Sequence, residues 1–248
     1  MKLLKILFLI PIYLGLVVAQ GAHSDQENML LAAGAGYKKP VIDLIHLFED
    51  ASDCQVDSIF GNLQTVTQQA SLTGDVSCVI GDRRFLENIK ETITFDAYYP
   101  IGRGILVLAC RDGLNIEKMK DLTRSDITTI FMPQEKKAIY GMAACEAIRT
   151  CGLTEKLQHK LTQVATVPQV VSYLISGEVD AGFINLTEYL AHQNQLGSYF
   201  LVDPTTYSEI SIVIGVVKGY EQNGCVQKFI KFAGSDEATK IFEIYGLK

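Results

Sequence analysis

The residues best placed to do chemistry in this chain are neutral ones at the ends of apolar runs. Gly36 and Tyr37, Asn62 and Leu63, Tyr140 and Gly141, Val167, and Asn185 each stand where a run gives way to a turn or to helical spacing. In open α/β sheets, ligands lie beyond the carboxyl ends of the strands. A helix starting there presents N–H groups without intrahelical partners and the positive end of its dipole. It can hold an anion with no full positive charge. Taken singly, each turn reads better as an ordinary connection whose Gly or Asn serves backbone geometry. The functional reading therefore rests on their convergence in one cleft. Three cations lie close enough in sequence to join them: Lys136, Lys137 and Arg103.

Enzyme constellations are missing. The sequence contains no Gly-x-Ser-x-Gly, His-Glu-x-x-His, Gly-x-x-x-x-Gly-Lys-Ser/Thr or Gly-x-Gly-x-x-Gly. The four His are scattered, and no Cys-x-x-Cys occurs, so neither a metal nor a cofactor is expected. Glu178 and Asp180 read as a solvated carboxylate pair in a helix-to-strand turn. All six Cys lie beyond the leader, and fifteen full pairings are open to them. Most sit in apolar runs, which favours mostly free, buried thiols.

These tips need elements to hold them. Met29 to Ala33, Gln55 to Phe60, Val76 to Ile80, Gly104 to Cys110, Ile127 to Met132, Leu161 to Val164, Ala181 to Ile184 and Ile210 to Val217 read as strands. Helical spacing follows most of them: Val41 to Phe48, a polar helix through Gln69, Tyr140 to Cys151, and Pro168 to Ser176. Helices over Val226 to Ala233 and Asp236 to Tyr245 close the chain. Such alternation predicts an α/β fold with mainly parallel sheets. No Pro/Gly/Ser-rich linker divides the chain, so two lobes must be joined by ordered strands. The apolar strands near Arg103 to Val107 and near Ile210 to Ile214 are the expected crossings. Lobe I is then 27–103 plus 209–248, and lobe II is 104–208.

The N-terminus reads as a leader, with Lys2 and Lys5 followed by an apolar run from Ile6 to Val18. That run is short for a bilayer core of about 30 Å. A signal peptide of 1–19, cut after Ala19, is expected. The 248-residue chain carries a net charge of −6, and losing Lys2 and Lys5 takes it to −8. Nucleic-acid binding, which wants a basic face, is excluded on that ground.

The segments Leu31 to Gly36, Phe48, Ile139-Tyr-Gly, Val167-Pro-Gln-Val, Gly177 to Phe183 and Ala238 to Gly246 occur in an order that resembles the periplasmic substrate-binding proteins of ABC transporters. Within them the chain is similar to the molybdate-binding family. The resemblance implies a type II two-lobe fold that closes on its ligand and hands it to a membrane permease. It implies a periplasmic, monomeric protein without enzymatic activity, and a small oxyanion such as molybdate or tungstate as cargo. The family's Ser hydroxyls fall on Gly36 and near Asn62 or Leu63. Its helix start falls on Tyr140 and Gly141, its backbone amide on Val167 and its Tyr on Asn185. Neither Ser position carries a hydroxyl here, and the Tyr position is an amide. The same trap holding a different polar organic or metal-complex ligand therefore stands as the alternative.

Overall fold

A computed structural model describes residues 28–247; the expected leader lies outside them. The first sheet is built from β1 (Asn28–Gly34), β2 (Gln55–Gly61), β3 (Val76–Asp82), β4 (Phe95–Gly104) and β10 (Ile210–Val217), in the order β2-β1-β3-β10-β4. The second holds β5 (Leu106–Arg111), β6 (Ile130–Pro133), β7 (Leu161–Val164), β8 (Ala181–Asn185) and β9 (Leu196–Leu201), in the order β7-β6-β8-β5-β9. The central strands read as unbroken apolar runs because helices cover both faces. All seven residues of β3 and all five of β8 are buried.

The two sheets follow one scheme. In each, one strand pairs in parallel with two neighbours: β1 with β2 and β3, and β6 with β7 and β8. In each, another strand runs antiparallel to both of its neighbours: β10 to β3 and β4, and β5 to β8 and β9. The sheets are thus mixed, where the strand–helix alternation predicts mainly parallel ones. Strand–helix alternation reports only the βαβ units. It is blind to the strand with which the chain enters or re-enters a sheet.

Helices α1 (Lys38–Asp50), α2 (Leu63–Thr73), α3 (Arg83–Asn88), α8 (Gly224–Ala233) and α9 (Asp236–Ile244) accompany the first sheet. Helices α4 (Ile139–Thr150), α5 (Thr154–Leu157), α6 (Val167–Ile175) and α7 (Leu186–His192) belong to the span of the second. On α1 the apolar stripe is Val41, Leu44, Ile45 and Phe48, all buried. Phe48 meets Phe229 of α8 edge-on, with ring centroids 5.2 Å apart.

Four expectations are corrected. The run Gly104 to Cys110 is not one strand: β4 ends at Gly104 and β5 opens at Leu106. The strand at Ile210 does not cross between sheets. Ile210 pairs with Gly104 and Ile212 with Asp82, so β10 is apolar because it lies in the middle of the first sheet. The chain returns through the segment before it, where Val202 N–H donates to Leu106 O (3.2 Å) and Tyr207 Oη accepts from Leu106 N–H (3.2 Å). Cys54 and Cys225 form a disulfide with Cα atoms 5.7 Å apart, and Cys151 is exposed; only Cys78 and Cys110 are free, buried thiols. Asp180 is not solvated. It is 9% exposed, accepts from the N–H and Oγ1 of both Thr128 and Thr129, and pairs with Arg111 at 3.1 Å. Burial pushes its pKa up, but the donors from Thr128, Arg111 and Thr129 outweigh that and hold it well below the usual carboxylate range.

Candidate functional site

Four helix starts meet between the sheets. The first is the 3₁₀ turn Ala35–Tyr37 that leads into α1; the others are the N-termini of α2, α4 and α6. Each forms where a strand of one sheet ends and the chain turns into a helix. Asn62 caps α2 by accepting from Gln64 N–H (3.0 Å). Thr166 caps α6 by accepting from Gln169 N–H (3.4 Å), and Pro168 suits the first turn because it has no N–H to satisfy. α4 has no side-chain cap; Gly141 N–H bonds back to Ala138 O. By position, the N–H groups of Leu63, Ile139, Tyr140 and Val167 have no intrahelical acceptor.

These four starts wall one cavity. Its lining runs through 34–37, 61–63, 138–140 and 165–167. No charged side chain takes part. Measured to the centres of water-sized spheres its volume is about 40 Å³, room for roughly three waters or one compact solute. Each helix N-terminus carries about half a positive charge, so four of them make the cavity electropositive without a cation.

Across this cavity the sheets are held by direct bonds. Tyr37 Oη and Tyr140 Oη are 2.6 Å apart, and both side chains are buried. Burial pushes both phenols above their ordinary range, Tyr37 with help from Tyr140 and Asp82, so both remain neutral hydroxyls. Asn62 Nδ2 donates to Ala165 O (3.1 Å). Asn185 is fully buried; its Nδ2 donates to Gly36 O (2.9 Å) and its Oδ1 accepts from Glu188 N–H (3.0 Å). At the outer edge Arg84 pairs with Glu146 at 3.4 Å, and Glu146 also accepts from Ser208 N–H.

Of the residues singled out in the sequence, Gly36, Tyr37, Asn62, Leu63, Tyr140 and Val167 line the cavity together. Gly141 and Asn185 do not. Gly141 is a packing requirement: a Cβ there would lie 2.3 Å from Pro133 O. Asn185 spends its amide on Gly36 and on the α7 start. A Cβ on Gly36 would in turn lie 2.9 Å from Asn185 Nδ2, so these two positions are matched to each other. None of the three neighbouring cations lines the cavity. Arg103 pairs with Glu209 at 3.2 Å, Lys136 lines a separate concavity with Gln64 and Phe85, and Lys137 is exposed.

Gly34, Ala35, Gly61, Ala138, Ile139, Ala165 and Thr166 also stand on the cavity wall, though sequence reasoning chose none of them as a site residue. Thr166 was findable, since Thr two residues before a helix-opening Pro is a cap signal. Ala138 and Ile139 carry no such signal, because what they contribute is backbone.

A family model described as bacterial extracellular solute-binding protein matches residues 29–248. Molybdate-binding protein ModA of Rhodobacter capsulatus is 22% identical over 241 residues, covering 94% of this chain and 93% of that protein. Among solved structures, the periplasmic molybdate-binding protein of Azotobacter vinelandii superposes with a TM-score of 0.79 at 20% identity, covering 89% of this chain and 98% of that one. The sulfate-binding protein SubI of Mycobacterium tuberculosis gives 0.71 at 14% identity, covering 89% and 86%. Likeness at such identities speaks for the fold alone.

Proposed function

This chain belongs to the bacterial extracellular solute-binding proteins, and from that membership we propose that it captures a small oxyanion of the molybdate or tungstate kind and delivers it to the permease of an ABC importer. The observation that carries the proposal is the convergence of four helix N-termini on one cavity lined by no charged side chain. A carboxylate in the wall would repel an anion, and a Lys or Arg would favour a range of anions through charge alone. Backbone N–H groups, phenols and amides instead recognise acceptor oxygens by direction. A cavity of about 40 Å³ favours a compact solute. One curated sequence relative is named for molybdate and supports the same reading.

In this reading 27–103 with 209–248 forms one lobe and 104–208 the other, and the lobes close on the ligand by shifting an open–closed equilibrium. The protein works as a monomer outside the cytoplasm after losing residues 1–19, and it performs no reaction. Gly36, Tyr37, Asn62, Leu63, Tyr140 and Val167 form the ligand shell, with Gly141 and Asn185 supporting it from behind.

A specific observation favours a second cargo class. The positions that match the molybdate family's Ser and Tyr ligands carry no hydroxyl, and Asn185 already donates to Gly36 and accepts from Glu188. The phenols of Tyr37 and Tyr140 are the hydroxyls present instead, and they suit a small polar organic ligand as well as an oxyanion. Titration calorimetry of the chain from residue 20 onward with molybdate, tungstate, sulfate and phosphate separates the readings. Heat and a raised melting temperature with molybdate or tungstate support the oxyanion. Silence with all four refutes it, and native mass spectrometry of freshly purified protein then looks for a retained organic mass.

A further inference from the structure

Gly104 ends β4 one residue before the chain enters the second sheet. It faces the Tyr37–Tyr140 pair. A Cβ built on Gly104 would lie 2.2 Å from Tyr140 Oη and 3.0 Å from Tyr37 Oη. Real Cβ atoms do not approach so closely, so the phenol pair as found needs a residue without a side chain at 104. The backbone does not ask for glycine here: 104 is not among the glycines with positive φ. The requirement is spatial.

The two phenols come from opposite sides of the cleft. Tyr37 leads into α1 on the first sheet, and Tyr140 sits in the first turn of α4 on the second. Their 2.6 Å bond exists only while the two sides are together. Tyr140 therefore approaches Gly104 only in the closed arrangement. The other close neighbour of the imagined Cβ, Ile210 Cγ2 at 2.8 Å, pairs with Gly104 inside the first sheet. That contact persists whether the cleft is open or closed, so it bears on stability and not on closure.

We propose that Gly104 is a positioning residue of the trap: the gap it leaves admits the Tyr140 hydroxyl, which bonds Tyr37 and latches the two lobes shut. The ligand's affinity is then set partly at the crossing, by a residue outside the cavity lining. The proposal rests on the oxyanion-trap reading for its ligand, but not for its closure. A ligand shifts an equilibrium only by its preference for one state, and anything that penalises the closed state lowers apparent affinity in proportion.

The test combines Gly104→Ala, Tyr140→Phe and the double variant. Closure is read by small-angle X-ray scattering with and without molybdate, affinity by calorimetry with molybdate, and folding by thermal melts. Gly104→Ala is expected to shift the scattering toward the open form and to weaken molybdate binding by about tenfold or more. Tyr140→Phe removes the latch bond and is expected to weaken closure less. The double variant, freed of the Tyr140 hydroxyl clash, is expected to close and bind like Tyr140→Phe alone, while the stability cost against Ile210 and Tyr37 remains in the melts. Rescue of this kind is not produced by a general folding defect. Gly104→Ala closing as well as the parent, a double variant no better than Gly104→Ala, or a parent that stays open throughout would each overturn the latch. A parent that closes yet gives no heat with molybdate would sink the cargo and leave the latch standing on the scattering alone.

Discussion

Removing the Cys54–Cys225 disulfide is expected to cost this protein a large part of its stability. The bond links the loop before β2 to the first turn of α8, across 171 residues of sequence. In the chain-entropy treatment, closing a loop of that length withdraws about 17 cal/mol/K from the unfolded ensemble, or about 5 kcal/mol at 25 °C. A domain's whole net stability is of order 5–15 kcal/mol. Both cysteines are buried, at 2% and 0% exposure, so Cys54→Ala/Cys225→Ala is a better probe than serine, which would bury unbonded hydroxyls. In the folded state burial pushes Cys78 up to about 12 and Cys145 to about 11, but unfolding exposes both, so the unfolding is run at about pH 5, where thiolate is scarce and exchange is slow. The exposed Cys151 can be alkylated beforehand. The chain has no Trp, so urea unfolding is followed by far-UV circular dichroism. With a slope of about 2.5 kcal/mol/M, the midpoint should fall by about 2 M, and the slope should rise because the unfolded chain is less compact. A loss below about 1 kcal/mol with an unchanged slope would refute the loop argument and place the bond's role elsewhere.

Further expectations concern single side chains. Asp180→Asn replaces a carboxylate that takes donors from Thr128, Thr129 and Arg111 with a group half of which donates; a loss of about 2–4 kcal/mol is expected. Because the Asp180 pKa is depressed in the folded state, its contribution is present at neutral pH and is lost as pH falls, so the variant should show a flatter acid limb in stability measured against pH. Glu188 behaves in the opposite sense. Burial pushes it up to about 7, with Lys39 pulling the other way, so its ionisation opposes folding and wild-type stability declines as pH rises toward and through 7. Glu188→Gln should gain about 3 kcal/mol over wild type at pH 8 and nothing at pH 4, read from paired melts. Gly141→Ala sets a Cβ against the carbonyl of Pro133 and should lower stability by about 3 kcal/mol, seen as a melting-temperature drop of about 6–12 °C.

What was legible in the sequence is what local chemistry writes into it. Buried central strands such as β3 and β8 appear as apolar runs, and helix starts appear as Asn, Thr or Pro at fixed offsets. That is why Asn62 and Val167 could be chosen before their convergence was visible. Half-exposed edges escape. β4 carries Pro100 and alternates weakly because, as an edge strand, it loses little from a missing N–H and keeps one side in water. β9, the edge of the second sheet, leaves Tyr199 and Leu201 exposed and reads as loop. The short helices α3 and α7 hold too few turns for a period to show. Partnerships distant in sequence escape altogether. Thr128 and Thr129 stand about fifty positions from Asp180, Tyr140 stands 103 from Tyr37, and nothing in the intervening residues announces either meeting. Asn185 shows the same blindness at a site: its position was readable, while the commitment of its amide to Gly36 was not.

The place of β10 has a consequence for the order in which the chain becomes structured. The second sheet is complete once the chain has run from 106 to 201, so it can form from one continuous stretch. The first sheet cannot. Its β3 and β4 have no contact in the strand order until residues 210–217 slip between them, and α8 must arrive before Cys54 has its partner. A chain emerging from its N-terminus must therefore carry β1 to β4 as an unfinished half-sheet while the next hundred residues emerge. Those strands expose open edges during that interval, the condition under which chains most readily aggregate or recruit chaperones. Truncation between 202 and 210 should leave the middle of the protein able to fold and its beginning unable to.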